Sequence, residues 1–524
     1  MSQSMKPFGE ASCEAEKDIL GKDYSKYFFE HAPFNSDSVD PNTYLIVGRR
    51  GCGKTSLAEY FKFQHQISDA KCIDVDEPNV YAAVSRKVAD LMNYPSEVSI
   101  PKVSDIWEYT IWCLIFRLYK DEDNRIKAAC VVDGSEKSAS SLIKTILSGI
   151  ISKYVVENGD ELIDQIDTIL NEKTFKLAKE VVQKITERRP VIVAIDSMDH
   201  YSINDQAAMW SIAGLIQCAS SFNRKYARSG IHVKLFLTDE IFPHLKERVI
   251  TNTLKYVRDP LFLLWRPKSL VRLISWRFYK HLSTSYPHLL AYTDIDWDDF
   301  DDVHHKMWIP YFGIKVENRN GVREHTFPYI LRHTQMRPRQ LVVLCNEFAK
   351  QAMRCRTFPK CDPNILKEAV WHCELSLADE VINSYSRIYP NISNIILALS
   401  GLPMTFKGKE LDRVAKRTAA HWQDGKYSLD MFRQIVTEMG IVGRQRSSKD
   451  GRSEILEADF EFAMEDRLFI HEQDDCVIHP MFYRKLNTSK QNGTCVYPFP
   501  DHPAFKPISE MRKFSGITPH RLPT

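Results

Sequence analysis

Apolar residues change their spacing several times along the chain, and each change marks an element. Residues 43–47 (TYLIV) form a short β-rich run that stops at a glycine-rich loop, and the TSLAEYFKFQ that follows has apolar positions at helical spacing. Strand, glycine loop and helix therefore follow one another directly. A second strand is predicted over 71–75 (KCIDV). Residues 103–120 and 159–188 read as helices, the latter with Leu162, Ile166, Ile169 and Leu177 spaced along it, and form a helical insertion. Three more apolar runs come next: 191–196 (VIVAID), 231–238 (IHVKLFLT) and 261–265 (LFLLW), each preceded by a helix or loop. Strands alternating with helices imply a parallel sheet covered on both faces.

The rhythm then becomes helical. Helices are predicted from 267 to 279 and from 339 to 353, so this region is expected to be mostly α-helical and to cover the sheet as a lid. A polar link over 354–363 leads to helices over 392–399, 407–419 and 428–439, then strands over 455–462 and 476–479. Three helices followed by a short sheet is the winged-helix order. The first 40 residues are polar apart from Tyr24, Tyr27, Phe28 and Phe29, and read as an arm packing against the first domain. From 486 the proline-bearing tail has little periodicity and reads as an extended strap or as disorder.

Composition narrows the picture. At 524 residues the chain is too long for one core, and 44% hydrophobic with 26% charged residues is an ordinary globular balance. Lys plus Arg (70) nearly cancels Asp plus Glu (68), so no whole-chain field draws it to nucleic acid or an anionic membrane. The first residues lack an apolar segment of signal-peptide length, and no run of about 18 apolar residues occurs, so a cytoplasmic protein without membrane contact is expected. Twelve cysteines without a CxxC pair read as reduced thiols.

The chemistry centres on Gly48, Arg49, Arg50, Gly51, Cys52, Gly53, Lys54 and Thr55, followed by Ser56. This is a full GxxxxGK[ST] match between a strand and a helix. Glycines let backbone N–H groups curl around phosphate oxygens, and the helix start adds partial positive charge. Lys54 would reach the β and γ phosphates of ATP, and Thr55 would ligate Mg2+. The apolar strand over 191–195 ends in Asp196, the candidate to hold the magnesium hydration shell. Asp199 either orients or deprotonates the attacking water or caps the next helix.

With these residues in view, Asp196-Ser197-Met198-Asp199 resembles the signature of STAND-class ATPases, in which a small residue separates two acids. The chain also resembles AAA+ ATPases of the origin-recognition type. In those, a strand ends in a polar sensor, then an acid, a Phe, a Leu and an Arg-Val pair; here stand Thr238, Asp239, Phe242, Leu245, Arg248 and Val249. The resemblance implies that Thr238 hydrogen-bonds the γ phosphate or water. It makes Arg248 a candidate finger toward a neighbouring subunit, against the commoner surface arginine. Met336-Arg337-Pro338-Arg339-Gln340-Leu341 resembles the second sensor motif and places Arg339 as its phosphate-sensing arginine, against a solvated helix start. His200 stands where STAND proteins usually have a second acid, and the roughly 140 residues between Lys54 and Asp196 exceed the spacing in initiator ATPases. The chain looks most like a little-described group of bacterial P-loop ATPases with a C-terminal winged helix, some linked to phage defence.

The expected fold is α/β: a parallel-sheet P-loop NTPase core of ASCE/AAA+-like type with a helical insertion, a helical lid and a winged helix. The expected organisation is an arm (1–40), the core (41–266, insertion near 100–188), the lid (267–362), a connector with winged helix (363–485) and a tail (486–524). Between residues 391 and 490, 15 Lys plus Arg balance 15 Asp plus Glu, which argues against tight nonspecific DNA binding. Local clusters at Lys407, Lys409, Arg413, Lys416 and Arg417, and at Arg444, Arg446, Lys449 and Arg452, could still grip phosphates. The expected function is an ATP-hydrolysing switch acting on a protein partner or homo-oligomer. The alternative is a DNA-directed AAA+ ATPase of initiator or loader type.

Overall fold

The computed structural model describes residues 5–40, 42–63, 71–75, 96–130, 170–196, 205–248, 256–422, 427–446, 455–464, 467–489 and 493–499. It shows a mixed α/β protein with two compact units. One is Pro33–Leu264; the other joins Met1–Ala32 to Trp265–Thr524.

The first unit is built on five strands: β1 (Leu45–Gly48), β2 (Lys71–Val75), β3 (Val191–Ile195), β4 (Ile231–Thr238) and β5 (Leu261–Phe262). Their order is β2-β3-β4-β1-β5, and every neighbouring pair is parallel. Every residue of β1 and β3 is buried, which explains why their sequences run apolar without alternation. Parallel neighbours need a crossover, and the helix Gln206–Tyr226 supplies the one from β3 to β4, capped at its start by Asp205. Asn223 ties that helix to β4: its side chain donates to the Val233 carbonyl at 3.0 Å and accepts from the Val233 N–H at 3.1 Å. The long helix Ser96–Tyr119 lies along it, with Trp107 donating to the Ser211 carbonyl at 3.0 Å and Trp112 packed edge-on against Tyr226. Gly214 permits this approach, since a Cβ there would sit 2.8 Å from Val103 Cβ.

The helix expected from 103 thus begins earlier, at Ser96. Within 159–188 the helix Lys173–Thr186 includes Leu177, while Leu162, Ile166 and Ile169 lie outside the described residues. The strand expected over 261–265 is shorter. It closes after Phe262, although the Leu263 N–H still reaches the Val47 carbonyl at 2.8 Å, because Arg266-Pro267 already starts a helix.

Three long helices frame the second unit: Pro267–Ser285, Pro338–Arg354 and Pro363–Tyr385. Each begins with proline, whose missing N–H and fixed φ suit the first helical turn. A region expected to be mostly helical also holds an antiparallel hairpin of β6 (Lys315–Glu317) and β7 (Arg323–His325). Its turn is fixed by Asn318, whose side-chain oxygen accepts from the Asn320 and Val322 N–H groups at 2.8 and 3.1 Å. Both strands are only three residues long, too short to show a period.

Residues 1–32 of the arm belong to this second unit, while residues 33–40 belong to the first, where the Asp40 carbonyl accepts from Lys234. Phe8 stacks on Phe278 with ring centroids 4.6 Å apart, and Arg277 clamps the buried Glu16 with bonds of 3.0 and 2.9 Å. The arm therefore supplies an apolar ring and a carboxylate to the helix Pro267–Ser285.

Helices Ile392–Leu397, Lys409–Thr418 and Leu429–Glu438 follow near their expected places. They accompany a five-stranded sheet of order β12-β10-β9-β11-β8, made by β8 (Thr405–Lys407), β9 (Val442–Gln445), β10 (Ile455–Asp459), β11 (Asp475–Ile478) and β12 (Cys495–Tyr497). Only β10 and β11 were legible beforehand. Part of the tail expected as a strap or disorder joins this sheet: β12 pairs in parallel with β10, and Tyr497 donates to the buried Glu324 at 2.9 Å. Among the described residues no helix is long and apolar enough to cross a membrane.

Candidate functional site

Three of the predicted groups lie at the carboxyl ends of three adjacent parallel strands, where open α/β sheets place ligands. Gly48 ends β1, Thr238 ends β4 directly beside it in register, and Asp196 follows β3 on the far side of β4. Consecutive β-region residues point alternately to the two faces, so only the strand ends and the loops after them gather at this edge.

The loop after β1 turns through Gly51 (φ 78°) and Gly53 (φ 103°), a backbone that side-chain-bearing residues rarely adopt. Gly48 serves a different need, since a Cβ there would overlap Cys52 Sγ and press on Leu263. Lys54 starts the helix Lys54–Tyr60, and its buried ammonium donates to the Gly48 and Arg49 carbonyls at 3.0 and 3.4 Å. Thr55, one residue on, donates its hydroxyl to Asp196 Oδ2 at 2.7 Å. Asp196 is 2% exposed, so its carboxylate is held by protein donors, not by bulk water.

Thr238 is 3% exposed, and its hydroxyl has no hydrogen-bond partner among the described residues. A buried hydroxyl without a partner is costly, and its place at the strand end leaves it available to a bound ligand or water. A hydroxyl and a carboxylate oxygen in contact are hard donors of the kind Mg2+ takes, and the glycine loop has the N–H groups that phosphate takes. The residues present thus fit both ligands.

An acidic pair after Thr238 meets the two loop arginines. Glu240, 3% exposed, accepts the Arg50 backbone N–H at 3.2 Å, and Asp239 lies 3.9 Å from Arg49 Nε. The register of β1 against β4 aligns Gly48 with Thr238, so Arg49-Arg50 and Asp239-Glu240 leave their strands side by side. Sequence reasoning singled out Asp239 but missed Glu240. The complementary RR and DE pairs after two strands were the available signal, and only the strand pairing makes it readable. Deeper in the same sheet, Lys234 donates to the Asp40 and Thr43 carbonyls, and burial lowers its pKa to about 7.

The remaining candidates are placed differently. Asp199, with Ser197, Met198 and His200, lies outside the described residues, as does Val249. Arg248 ends the helix Phe242–Arg248. Arg339 belongs to the second unit. Its Nε donates to the Ala11 carbonyl at 3.0 Å and its Nη1 is 3.4 Å from Glu380, so an arginine expected at a solvated or phosphate-sensing position is engaged by the arm. Two residues earlier, Arg337 is buried and donates to Gln335, whose amide donates to the Met439 carbonyl at 2.8 Å. Lys407, Arg413 and Arg446 pair with Asp475, Glu410 and Asp459 at 2.8 Å each, and Arg444 lies 3.9 Å from Asp459. Lys409, Lys416 and Arg417 are exposed, while Lys449 and Arg452 lie outside the described residues.

No family model matches the chain. A protein of Escherichia coli (strain K12) described as "Putative transposon gamma-delta 80.3 kDa protein" is 22% identical over 408 residues, which cover 76% of this chain and 54% of that protein. The chain thus spans about half the length of the curated relative it matches.

Proposed function

We propose that this chain is a magnesium-dependent P-loop ATPase that works as a nucleotide-controlled switch on a protein partner or on further copies of itself. The observation that carries the reading is the 2.7 Å hydrogen bond between Thr55 and Asp196, residues 141 apart that the sheet brings into contact. In P-loop NTPases these two residue types flank the metal. Mg2+ would be held by Thr55 and, through its hydration shell, Asp196. When bound, it would supply neutralisation of the charge on the phosphate oxygens.

The chain's own residues would do the rest. Lys54 would exchange the Gly48 and Arg49 carbonyls for phosphate oxygens, a stronger charge-assisted pairing. Thr238 would donate its unpartnered hydroxyl to the γ phosphate or to the water that attacks it. Asp199 is assigned from the sequence as the residue that orients that water. Arg339 is assigned from the sequence as the phosphate sensor, a role that requires it to leave the Ala11 carbonyl and Glu380 that hold it here; such a change of partner with nucleotide state is the differential contact a switch needs. A role in phage defence rests on the sequence resemblance, and a cytoplasmic site of action on the apolar pattern of the sequence.

The second reading, a DNA-directed ATPase, is favoured by the exposed Lys409, Arg413, Lys416 and Arg417 along one helix face and by the transposon name of the E. coli relative. The acidic partners of Lys407, Arg413, Arg444 and Arg446 weigh against it. Magnesium-dependent ATP hydrolysis by wild type, Lys54→Ala and Asp199→Asn, each with and without double-stranded DNA, separates the two. Hydrolysis lost in both variants and indifferent to DNA supports the protein-partnered switch. Stimulation by DNA favours the second reading, and no hydrolysis by wild type removes both.

A further inference from the structure

A polar recess, entirely within the second unit and open to solvent, lies between the β6–β7 turn, the segment after the helix Thr326–Leu331 and the helix Pro363–Tyr385. Its floor is Arg332, whose side chain is 5% exposed. Nε and Nη2 of Arg332 are bound by Glu324 at 3.0 and 2.9 Å. Glu324 also accepts from Asn318 and Tyr497, so each of its oxygens already has two donors. Arg332 Nη1 is thereby left without a protein acceptor among the described residues, on a guanidinium that forms the cavity wall.

Two more cations line the same space. Lys367 is half-buried and has no ion-pair or hydrogen-bond partner among the described residues. Arg319 stacks on Trp371, 4.3 Å from the ring centre, and its ion-pair partner Glu368 points to solvent. Arg484 also lies over the Trp371 ring, at 4.4 Å, so the indole is already used and the recess offers donors instead of a stacking platform. Glu374, the one carboxylate on the wall, lies 3.5 Å from His333.

The geometry points to a binding site for a phosphate-sized oxyanion, coordinated by Arg332 Nη1, Lys367 and Arg319. Cationic side chains lining one recess, two of them guanidiniums, are the donors that phosphate and carboxylate recognition uses. A nucleic-acid strand carries its phosphates outward on a wide backbone and does not bring one onto a guanidinium buried this deeply, so the ligand is a free oxyanion or a small phosphate-bearing metabolite. None of these residues belongs to the P-loop unit, and the inference stands whether or not the chain hydrolyses ATP.

Isothermal titration of the full-length protein with inorganic phosphate tests this, using wild type, Lys54→Ala and Lys367→Met. Thermal melting serves as the check that Lys367→Met folds, as expected for a half-buried side chain exchanged for one of similar length. The proposal predicts a phosphate site that remains in Lys54→Ala, whose glycine loop has lost its phosphate-binding lysine, and that is at least about tenfold weaker in Lys367→Met, the loss of one charge-assisted hydrogen bond. Repeating the titration with glucose 6-phosphate distinguishes a free oxyanion from a phosphate ester: tighter binding of the ester assigns a metabolite, and no binding of it assigns the free ion. Phosphate binding that disappears in Lys54→Ala and persists in Lys367→Met would place the anion at the P-loop, and no binding by wild type would leave the cavity without this ligand; either result overturns the proposal.

Discussion

Replacing Thr238 by valine should move stability and activity in opposite directions. The Thr238 hydroxyl is buried beside Gly48 and without a partner among the described residues, so the folded state bears the desolvation of a polar group with nothing in return. An unsatisfied buried hydroxyl costs about 1–3 kcal/mol. Valine keeps the β-branched shape that β4 favours and removes that cost, so the variant should be more stable by about 1–2 kcal/mol. For a unit of this size the melting temperature should rise by roughly 2–8 °C. A hydroxyl that bonds the γ phosphate or the attacking water only during the reaction would be missed there, and losing one such donor lowers kcat by about 10²-fold. Differential scanning calorimetry of the nucleotide-free protein and steady-state ATP hydrolysis measure the two effects. A variant that is less stable than wild type with unchanged hydrolysis would show that Thr238 is an ordinary core residue and refute the reasoning.

Other residues give equally direct expectations. Glu240→Ala removes the carboxylate that holds the Arg50 N–H and should weaken ATP affinity by about tenfold with the fold retained, while Glu240→Gln, which keeps an acceptor oxygen, should recover most of it; fluorescent-nucleotide titration reads both. Lys234 has its pKa lowered by burial from 10.5 to about 7, so between those values the unfolded chain holds a proton that the folded chain does not. Wild type should therefore gain up to about 1.4 kcal/mol of stability per pH unit from pH 7.5 to 9.5 relative to Lys234→Met, measured by urea unfolding. Arg277→Met strands the buried Glu16 and should cost about 3 kcal/mol, most of it restored in the double variant with Glu16→Gln; urea unfolding of the single and double variants checks this.

Much of the α/β unit was legible because its strands are long apolar runs between breakers. The span of β4 and the apolar run of β3 ending at Asp196 fall where periodicity placed them. The glycine-rich turn after β1 was legible because its backbone demands glycine at Gly51 and Gly53, where φ is positive. Three-residue strands such as β6, β8 and β12 were not, since a period of two needs more residues to register, and their formation is decided by partners far along the chain. The same holds for the arm. Glu16 and Phe8 carry no local sign that Arg277 and Phe278, more than 250 residues away, complete them. Glu240 and the Arg332 cavity were hidden for that reason too, because each exists only through register and packing between segments distant in sequence.

Equilibrium binding of ATP, with Mg2+ and with EDTA, to wild type, Lys54→Ala and Asp196→Asn is the measurement that tests the proposed nucleotide site most directly. The Thr55–Asp196 contact and the Lys54 position predict tight binding to wild type that needs Mg2+, at least about tenfold weaker binding to Lys54→Ala, and loss of the Mg2+ dependence in Asp196→Asn. Equal binding by all three proteins, or none by wild type, would contradict a P-loop nucleotide site.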